Sequence, residues 1–445
     1  MAPSRSVSEL ASIVERNTRI LEDGVKGSPA AQFSVAFGAP PQIELSPELG
    51  ETRDELLETI EELRVRIQGP MGYLMSFILP TSAVVAVFKA LYTFDIASHV
   101  PLAPNAEISY ADLAKSCGIP EDDVRRIVQA AITFHVFEEA TPDISVRHNA
   151  MSSVFTVPEM KDILGLFVEE QLSGVIKLVE SIQRFPGSGE PGHSASVLAF
   201  REEKAVKELG INREEIADPS KNFFNYIAED EKRVARFRSA MGVSTKAPAF
   251  TSAYFVNTLP WANEDQCPET VVDIGGAGGE VVQRSSLVLR AYPNVKKGVV
   301  LDLPEVVADA QVPDDLSNRL EYKSYNFLTE KVTYRADAYV FRHIFHDWSD
   351  QYATKILKNL VPALKKGSKI WLAEVVLPNL SEKNRLKDRM QRSADIFMKS
   401  GFNGKERSKR NWETLLAASD ERFRIVNITK PHGAHDSIIE IVFDA

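Results

Sequence analysis

The sequence predicts a carboxyl-terminal doubly wound α/β domain, preceded by a helical part with a winged helix-turn-helix pattern. From about residue 270 onward, apolar strand-like runs alternate with helical patterns, which is typical of a mostly parallel sheet. A glycine-rich turn follows the first of these runs. The chain has 445 residues, which is too many for one ordinary core, so we expect two or three domains.

The α/β pattern can be followed strand by strand. A buried-type strand, Thr270–Ile274, precedes the glycine loop 275–279, and a helix begins near Glu280. Later elements repeat this alternation: a strand at 297–302, a strand at 336–341, a helix at about 350–364 and a strand at 370–374. The helix ends in two lysines and a glycine, which suit its carbonyl end.

The first half of the chain is helical in pattern. Apolar residues recur at helical spacing in 7–23, and a second helix is expected to end near Gly69. The segment 109–143 predicts a helix, a Gly-Ile-Pro turn, a second helix and a short wing. Such a pattern also occurs in DNA-binding regulators, but the second helix begins Glu121-Asp122-Asp123, which would repel phosphates. We therefore expect this segment to pack against a second copy of the chain.

Bulk properties narrow the classes of function. The net charge of −10 disfavours a general nucleic-acid binder. Two distant cysteines, Cys117 and Cys267, make a disulfide framework unlikely and fit a reducing compartment. The first residues lack the apolar core of a signal peptide, and we expect no run to reach the roughly 18 apolar residues of a membrane span. These properties predict a cytosolic protein with no membrane partner.

The stretch VFRHIFHDWSD at 340–350 carries the densest polar cluster. A metal site could use His343 and His346, but no further ligand cluster is evident in the sequence. Ser349 or Asp350 could cap a helix, which leaves His346 unexplained. A catalytic base is the third hypothesis and gives His346 a role, with His343 expected to be structural.

The glycine loop indicates a nucleotide-type ligand. Glycines let the backbone approach a ligand, and a helix that follows presents free N–H groups. Gly276 and Gly278 are followed by Val281 where the dinucleotide fingerprint needs its third glycine, which argues against NAD. Asp302 ends the second strand, where it can accept hydrogen bonds from both hydroxyls of a ribose.

Taken in order, five motifs resemble one family. They are the 272–279 loop, Leu301-Asp302-Leu303-Pro304, the 341–348 stretch, Ala373-Glu374 and Gly404-Lys405-Glu406-Arg407. From about residue 70 to the carboxyl terminus the chain is similar to the S-adenosylmethionine-dependent O-methyltransferases of the caffeate type, in their fungal natural-product branch. The resemblance implies a Rossmann-like methyltransferase domain and an all-α, winged-helix dimerisation domain.

The resemblance also implies residue roles. His346 matches the general base, and Glu374 and Glu406 match the acids that orient it. The cofactor S-adenosyl-L-methionine would be bound by residues of the strand ends and the loops that follow them: Gly275, Gly276, Asp302, Leu303, Asn326, Phe327 and Arg342. The chain departs from the family pattern at Ala277, in place of a glycine, and at Asn326, in place of an aspartate.

Four regions follow from the resemblance: amino-terminal helices and a linker at 1–69, the dimerisation domain at 70–160, a helical region at 161–250 that lines the substrate pocket, and the catalytic domain at 251–445. Aromatic residues of the third region could line that pocket or form plain core: Phe223, Phe224, Tyr226 and Phe237, with Met241. The implied reaction is methylation of a hydroxyl, phenolic or enolic, on a small natural product such as a polyketide. The alternative is a non-methylating relative that binds the cofactor and catalyses a rearrangement. Those relatives have lost the catalytic histidine, so His346 favours methylation.

Overall fold

The computed structural model describes residues 5–27, 33–40, 43–208, 221–276, 281–308, 310–380 and 385–444, with the backbone alone at 204–208, 244–246 and 281–285. The chain forms two compact units, which we describe separately. The first unit is Met1–Leu172 with Ser381–Arg389, and the second is Ser173–Leu380 with Met390–Ala445. The four-region division expected from the sequence stays a prediction, because compactness alone does not define it.

The first unit begins with two predicted helices. Helix α1 (Val7–Gly24) starts at a capping box in which Ser6 and Glu9 bond each other's backbone N–H groups. Segment α2 (Pro47–Thr93) is interrupted at Gly69, whose φ of 66° is left-handed and ends the helix there. The predicted end of the second helix near Gly69 is confirmed. A further helical stretch continues from there to Thr93.

The winged-helix prediction is confirmed in the first unit. Strand β1 (Ile108–Ser109) leads into α3 (Tyr110–Cys117), and α4 (Glu121–Thr133) leads into the wing, β2 (Glu138–Thr141) and β3 (Ser145–Arg147). The three strands form an antiparallel sheet in the order β1-β3-β2. The Ser109 side chain caps α3 by accepting from the Asp112 N–H at 3.1 Å. Two short helices follow, α5 (Ala150–Val154) and α6 (Pro158–Gly165).

The expectation that no stretch is long and apolar enough to cross a membrane is wrong for α2. Within the described residues this helical segment contains a window of 18 residues that meets both conditions, and 11% of the window is buried. A single segment that passes on length and composition is weak evidence for a membrane span. Its low burial does set it apart from an ordinary core helix.

The second unit combines helices with one large sheet. Its first helices are α7 (Leu172–Arg184), α8 (Ala195–Glu208), α9 (Phe223–Ala228), α10 (Glu231–Lys246) and α11 (Ser252–Thr258). Those that follow are α12 (Val281–Ala291), α13 (Pro304–Val307), α14 (Asp350–Leu360), α15 (Arg385–Phe402) and α16 (Lys409–Ser419), and the residues of α15 up to Arg389 belong to the first unit. Phe223 and Tyr226 are buried in an aromatic cluster, as the plain-core alternative expects, while Phe224 and Met241 are partly exposed.

The large sheet confirms the doubly wound prediction. Its seven strands run in the order β11-β12-β8-β7-β4-β5-β6. Five of them pair in parallel: β4 (Thr270–Ile274), β5 (Lys297–Asp302), β6 (Leu320–Ser324), β7 (Ala338–Arg342) and β8 (Lys369–Glu374). The edge pair β11 (Phe423–Thr429) and β12 (Ser437–Phe443) is antiparallel. Two short strands, β9 (Val376–Leu377) and β10 (Arg407–Ser408), pair in parallel outside it.

The topology brings the predicted site residues to one edge of the sheet. Parallel strands end at the same edge, and ligands of such sheets bind there. Gly275 follows β4, Asp302 ends β5, and Glu374 ends β8. Strand β7 ends at Arg342, which is in register with Ala373, the neighbour of Glu374. The residues that follow β7, including His346, therefore begin at the same edge as Glu374.

Candidate active site

His346 lies in a single 3₁₀ turn, Phe345–Asp347, shortly after β7. Its side chain is 18% exposed. The Nδ1 atom lies 3.1 Å from Glu406 Oε1 and 4.0 Å from Glu374 Oε2. The Nε2 atom lies 3.6 Å from Asp347 Oδ1. The structure thus brings together the three residues predicted to be catalytic and adds a third carboxylate.

Glu374 is held by the same turn that carries His346. It ends β8 and is almost fully buried. Its Oε1 atom accepts hydrogen bonds from the backbone N–H groups of Ile344 at 2.9 Å and Phe345 at 2.8 Å. One carboxylate oxygen therefore fixes the backbone before His346, and the other faces its ring.

Glu406 reaches His346 because Gly404 allows a close approach of two backbones. A Cβ atom at Gly404 would lie 2.1 Å from the His346 carbonyl oxygen, so any side chain would push the segment away. The Lys405 N–H donates to that carbonyl at 3.0 Å. The Glu406 N–H donates to Asp395 Oδ1 at 2.8 Å. Gly404 is thus required for the distance between Glu406 and His346.

Arg407 binds the backbone of the turn on both sides of His346. It is fully buried and donates to the Phe345 carbonyl at 2.6 Å and to the Trp348 carbonyl at 2.8 Å. Its Nε atom donates to Asp350 Oδ1 at 3.0 Å. Because both flanking carbonyls are bound by one rigid guanidinium, the backbone of His346 has little freedom. Arg407 belongs to the motif 404–407, but its sequence context alone does not indicate this role.

The carboxylates around His346 change its basicity. Burial by itself would lower the pKa of His346, but the charges of Asp347, Glu374 and Glu406 outweigh it and raise that pKa to about 10. Burial raises the pKa of Glu374 to about 7 and that of Asp347 to about 6, against the pull of His346. The site therefore concentrates more negative charge than one imidazolium balances.

Two buried carboxylate oxygens support the same view. Among the described residues, neither Glu374 Oε2 nor Glu406 Oε2 has a hydrogen-bond partner. A buried acceptor without a partner costs about 1–3 kcal/mol, and more when it is charged. Glu374 Oε2 is the oxygen that faces His346 Nδ1 at 4.0 Å, whereas His346 contacts the other oxygen of Glu406, Oε1.

A second ionisable cluster lies against the first. His343 has a left-handed φ of 51°, and its ring stacks on that of His346 with the centroids 5.3 Å apart. His343 Nε2 lies 2.8 Å from Asp436 Oδ1, and His435 Nδ1 lies 3.0 Å from the same oxygen. Arg342, which was expected near the cofactor, donates to Asp436 Oδ2 at 3.4 Å, to Ser252 Oγ at 2.9 Å and to the Phe250 carbonyl.

Among the described residues, two groups of three side chains could each hold a metal ion, and neither group contains both His343 and His346. One group is His346, Glu374 and Glu406, and the other is His343, His435 and Asp436. Within each group the ligand atoms lie within 4.8 Å of one another. The sequence could not indicate the second group, because Asp436 is 93 residues from His343 and follows no motif.

The predicted cofactor residues that the structure describes lie at the strand ends. Gly275 has a φ of 71°, and a Cβ atom there would lie 2.4 Å from Ile344 Cδ1. At Gly276 a Cβ atom would lie 2.6 Å from the Asp273 carboxyl carbon. Both glycines are therefore required for the turn, whose remaining residues 277–279 lie outside the described part of the chain. The Asp302 carboxylate accepts from the Leu303 N–H at 2.7 Å, which fixes it at the end of β5.

Asn326 and Phe327 follow β6 and are held by local bonds. The Asn326 side-chain oxygen accepts from the Leu328 N–H at 2.9 Å, which an aspartate could also do. The Phe327 carbonyl accepts from Asn359 Nδ2 at 2.9 Å, and its ring packs edge-on against Trp348. A Cβ atom at Gly275 would also lie within 3.8 Å of the Phe327 ring. The departure to Asn326 therefore leaves this loop intact.

Comparison with known proteins places the chain among relatives along nearly its whole length. A family model described as an O-methyltransferase domain matches residues 219–420. The grayanic acid biosynthesis cluster O-methyltransferase of Cladonia grayi is 30% identical over 442 residues, which is 98% of this chain and 88% of that protein.

Two solved structures show the same fold over the same length. The structure of OxaC in complex with SAH and oxaline superposes with a TM-score of 0.73 at 18% identity, covering 98% of this chain and 99% of that one. A structure described as a pericyclic reaction enzyme gives a TM-score of 0.68 at 19% identity, covering 98% of this chain and all of that one. At these identities the two structures establish the fold.

Proposed function

The chain belongs to the S-adenosylmethionine-dependent fungal O-methyltransferases, and from this premise we propose that it methylates a phenolic or enolic hydroxyl of a polyketide-type small molecule with His346 as general base. The observation that carries the proposal is the convergence of Glu374 and Glu406 on one nitrogen of His346. That arrangement leaves the other ring nitrogen for an acceptor. The relative in a grayanic acid biosynthesis cluster supports a natural-product acceptor.

The division of work between the two ring nitrogens follows from the distances. Nδ1 of His346 donates its hydrogen to Glu406 Oε1, which lies 3.1 Å away. In the neutral ring Nε2 is then the nitrogen with a lone pair, and in that form it accepts the hydroxyl proton of the acceptor. Glu374 and Glu406 stabilise the imidazolium that results, and Asp347 lies on the side of Nε2.

The basicity of His346 suits a phenol. A histidine near pKa 6.5 falls short of a phenol near 10 by about 3.5 units, or about 5 kcal/mol at about 1.36 kcal/mol per unit. The three carboxylates raise the pKa of His346 to about 10, which removes most of that difference. S-adenosylmethionine supplies, when bound, a methyl group on a cationic sulfonium that an acceptor oxygen can attack directly. His346 has only to take the proton.

The cofactor would be held at the edge of the sheet where the parallel strands end. Gly275 and Gly276 keep the first turn tight, and Asp302 presents a carboxylate to the ribose hydroxyls. Leu303 would lie against the adenine, with Asn326 and Phe327 on the neighbouring loop. Arg342 is the remaining residue that the resemblance assigns to the cofactor, and its guanidinium bonds Asp436 Oδ2, Ser252 Oγ and the Phe250 carbonyl.

A rearrangement enzyme is the second candidate. The favouring observation is that a structure described as a pericyclic reaction enzyme shares the fold along 98% of this chain. The three carboxylates around His346 argue against it, because a reaction without proton transfer would not need a strongly basic histidine. Methyl transfer therefore explains more of the described residues.

We further propose that the protein works as a cytosolic homodimer. Helical segment α2 exposes a run of large apolar side chains that a monomer would leave in water: Ile67, Met71, Leu74, Met75, Phe77, Ile78 and Leu79. A second copy of the same segment would cover these side chains.

The testing experiment incubates the purified full-length chain with S-adenosylmethionine and a panel of phenolic and enolic polyketides. We expect a mass gain of one methyl on at least one acceptor, dependent on the cofactor and lost in His346→Ala. Calorimetry should detect binding of S-adenosylhomocysteine and not of NAD. A product of unchanged mass but altered skeleton would instead support the rearrangement enzyme.

A further inference from the structure

We propose that His343, His435 and Asp436 form a binding site for a divalent first-row transition metal ion beside the reaction centre. Two imidazoles and one carboxylate are a donor set that such ions take, with coordination positions left open. The proposal concerns residues outside the His346, Glu374 and Glu406 cluster, and it does not depend on which reaction the protein catalyses.

The ligand atoms already have the spacing of a metal site. His343 Nε2 and His435 Nδ1 lie 2.8 Å and 3.0 Å from Asp436 Oδ1, and all three atoms lie within 4.8 Å of one another. Ligand atoms about 2.1 Å from an ion and at right angles to each other are about 3.0 Å apart. An ion can therefore replace the two hydrogen bonds with small side-chain movements.

The backbone around the three ligands is fixed. His435 and Asp436 lie in the connection that leads into β12, and the His435 N–H donates to the Ala249 carbonyl at 2.7 Å. The ring of His435 stacks on Phe250 with the centroids 4.1 Å apart. Asp436 is buried, and Arg342 holds its Oδ2 atom at 3.4 Å. An outer partner of this kind orients a ligating carboxylate and leaves Oδ1 for the ion.

The surrounding charge also favours a cation. Four carboxylates, those of Asp347, Glu374, Glu406 and Asp436, lie in this neighbourhood, against two cations, Arg342 and Lys430, whose Nζ atom donates to the His435 carbonyl. The neighbourhood therefore carries an excess of negative charge. The guanidinium of Arg342 repels an added ion, but it bonds the oxygen that faces away from the two imidazoles.

An ion can reach the site from solvent. The His435 side chain is 35% exposed and that of His343 is 27% exposed, whereas Asp436 forms the closed end. The open side would let water or a ligand oxygen complete the coordination.

The test titrates the chelator-treated, full-length protein with Co²⁺, followed by its visible absorption, and with Zn²⁺ by calorimetry. We expect one ion per chain. His435→Ala should weaken binding by more than the about 10- to 100-fold that the loss of an outer partner costs. His432→Ala removes an exposed histidine three residues away and should bind as the wild type does. Asp436→Asn should also lose the ion, and circular dichroism checks that this buried variant folds.

The second cluster provides the opposing outcome. His346→Ala should keep the ion, because His346 is not one of the three ligands. Loss of the ion in His346→Ala with retention in His435→Ala would assign the metal to His346, Glu374 and Glu406 and overturn the proposal. So would a wild-type protein that binds neither Co²⁺ nor Zn²⁺. Both readouts are independent of methyl transfer.

Discussion

The two compact units depart from ordinary burial in opposite ways. In the first unit, Met71 and Leu79 are each 71% exposed although both are large and apolar. In the second unit, Glu374 is 1% and Glu406 is 6% exposed although both are acids. An isolated chain gains from neither arrangement, since apolar surface favours burial and carboxylates favour water.

The difference matches the two roles proposed above. A second copy of the chain would cover the apolar surface of the first unit, and His346 would place a proton beside the buried carboxylates of the second unit. Natural sequences violate local rules chiefly at functional sites, so we infer an assembly surface from the first departure and a reaction centre from the second.

The largest expected effect is that of His346→Ala in the second unit. Turnover should fall by about 10²–10⁴-fold, the usual contribution of a positioned general base. Folding and binding of S-adenosylhomocysteine should persist, because the His346 side chain would face the acceptor and not the core. The measurement is methyl transfer to whichever acceptor the panel identifies. Activity like that of the wild type in His346→Ala would return the cluster to a structural role.

A charge on the exposed face of the first unit should separate the dimer. Leu79→Glu places a carboxylate where a second copy would bury apolar surface. We therefore expect the dissociation constant of the dimer to rise by about 10-fold or more. Analytical ultracentrifugation against concentration measures it. Leu102→Glu, which changes an exposed leucine outside α2, is the matched control and should stay dimeric. A wild type that is monomeric at every concentration would refute the assembly itself.

Replacing one carboxylate of the second unit should have a smaller effect with a characteristic pH signature. Glu406→Gln keeps a hydrogen-bond acceptor for His346 but removes a negative charge that raises its pKa. The rising limb of turnover against pH should therefore move to lower pH, while the maximum falls by about tenfold. If the maximal turnover falls but the rising limb of the pH profile does not shift, Glu406 only supports the backbone.

The residues at the carboxyl edge of the parallel strands could be predicted from the sequence, whereas the residues beside that edge could not. Asp302 and Glu374 end strands, so strand patterns alone brought them to one edge, and the motif around Gly404 added Glu406. Asp436 could not be predicted, because it precedes β12, and nothing in the local pattern shows that β12 pairs with β8. The apolar stretch of α2 was misjudged because Gly69 and two prolines, Pro70 and Pro80, hide a long run of helix.

The pH dependence of stability gives the smallest and most specific test of the buried charges. The pKa of His346 in the folded chain, about 10, exceeds the value near 6.5 of an unfolded chain. Its stabilisation is therefore complete below about pH 6.5 and is lost as the pH rises to about 10. At about 1.36 kcal/mol per unit this amounts to at most about 5 kcal/mol.

The groups next to His346 determine the window to measure. Asp347 and Glu374, raised to about 6 and about 7, lose stabilisation in the same direction but mostly below neutral pH. His343, whose pKa is lowered, acts oppositely below about 6.5. Between about pH 7 and 10 the fall in melting temperature should thus come mainly from His346. His346→Gln should make the melting temperature depend less on pH, whereas His432→Gln, at an exposed site, should leave this dependence unchanged. The same dependence in the wild type and both variants would mean that the carboxylates do not hold a proton on His346.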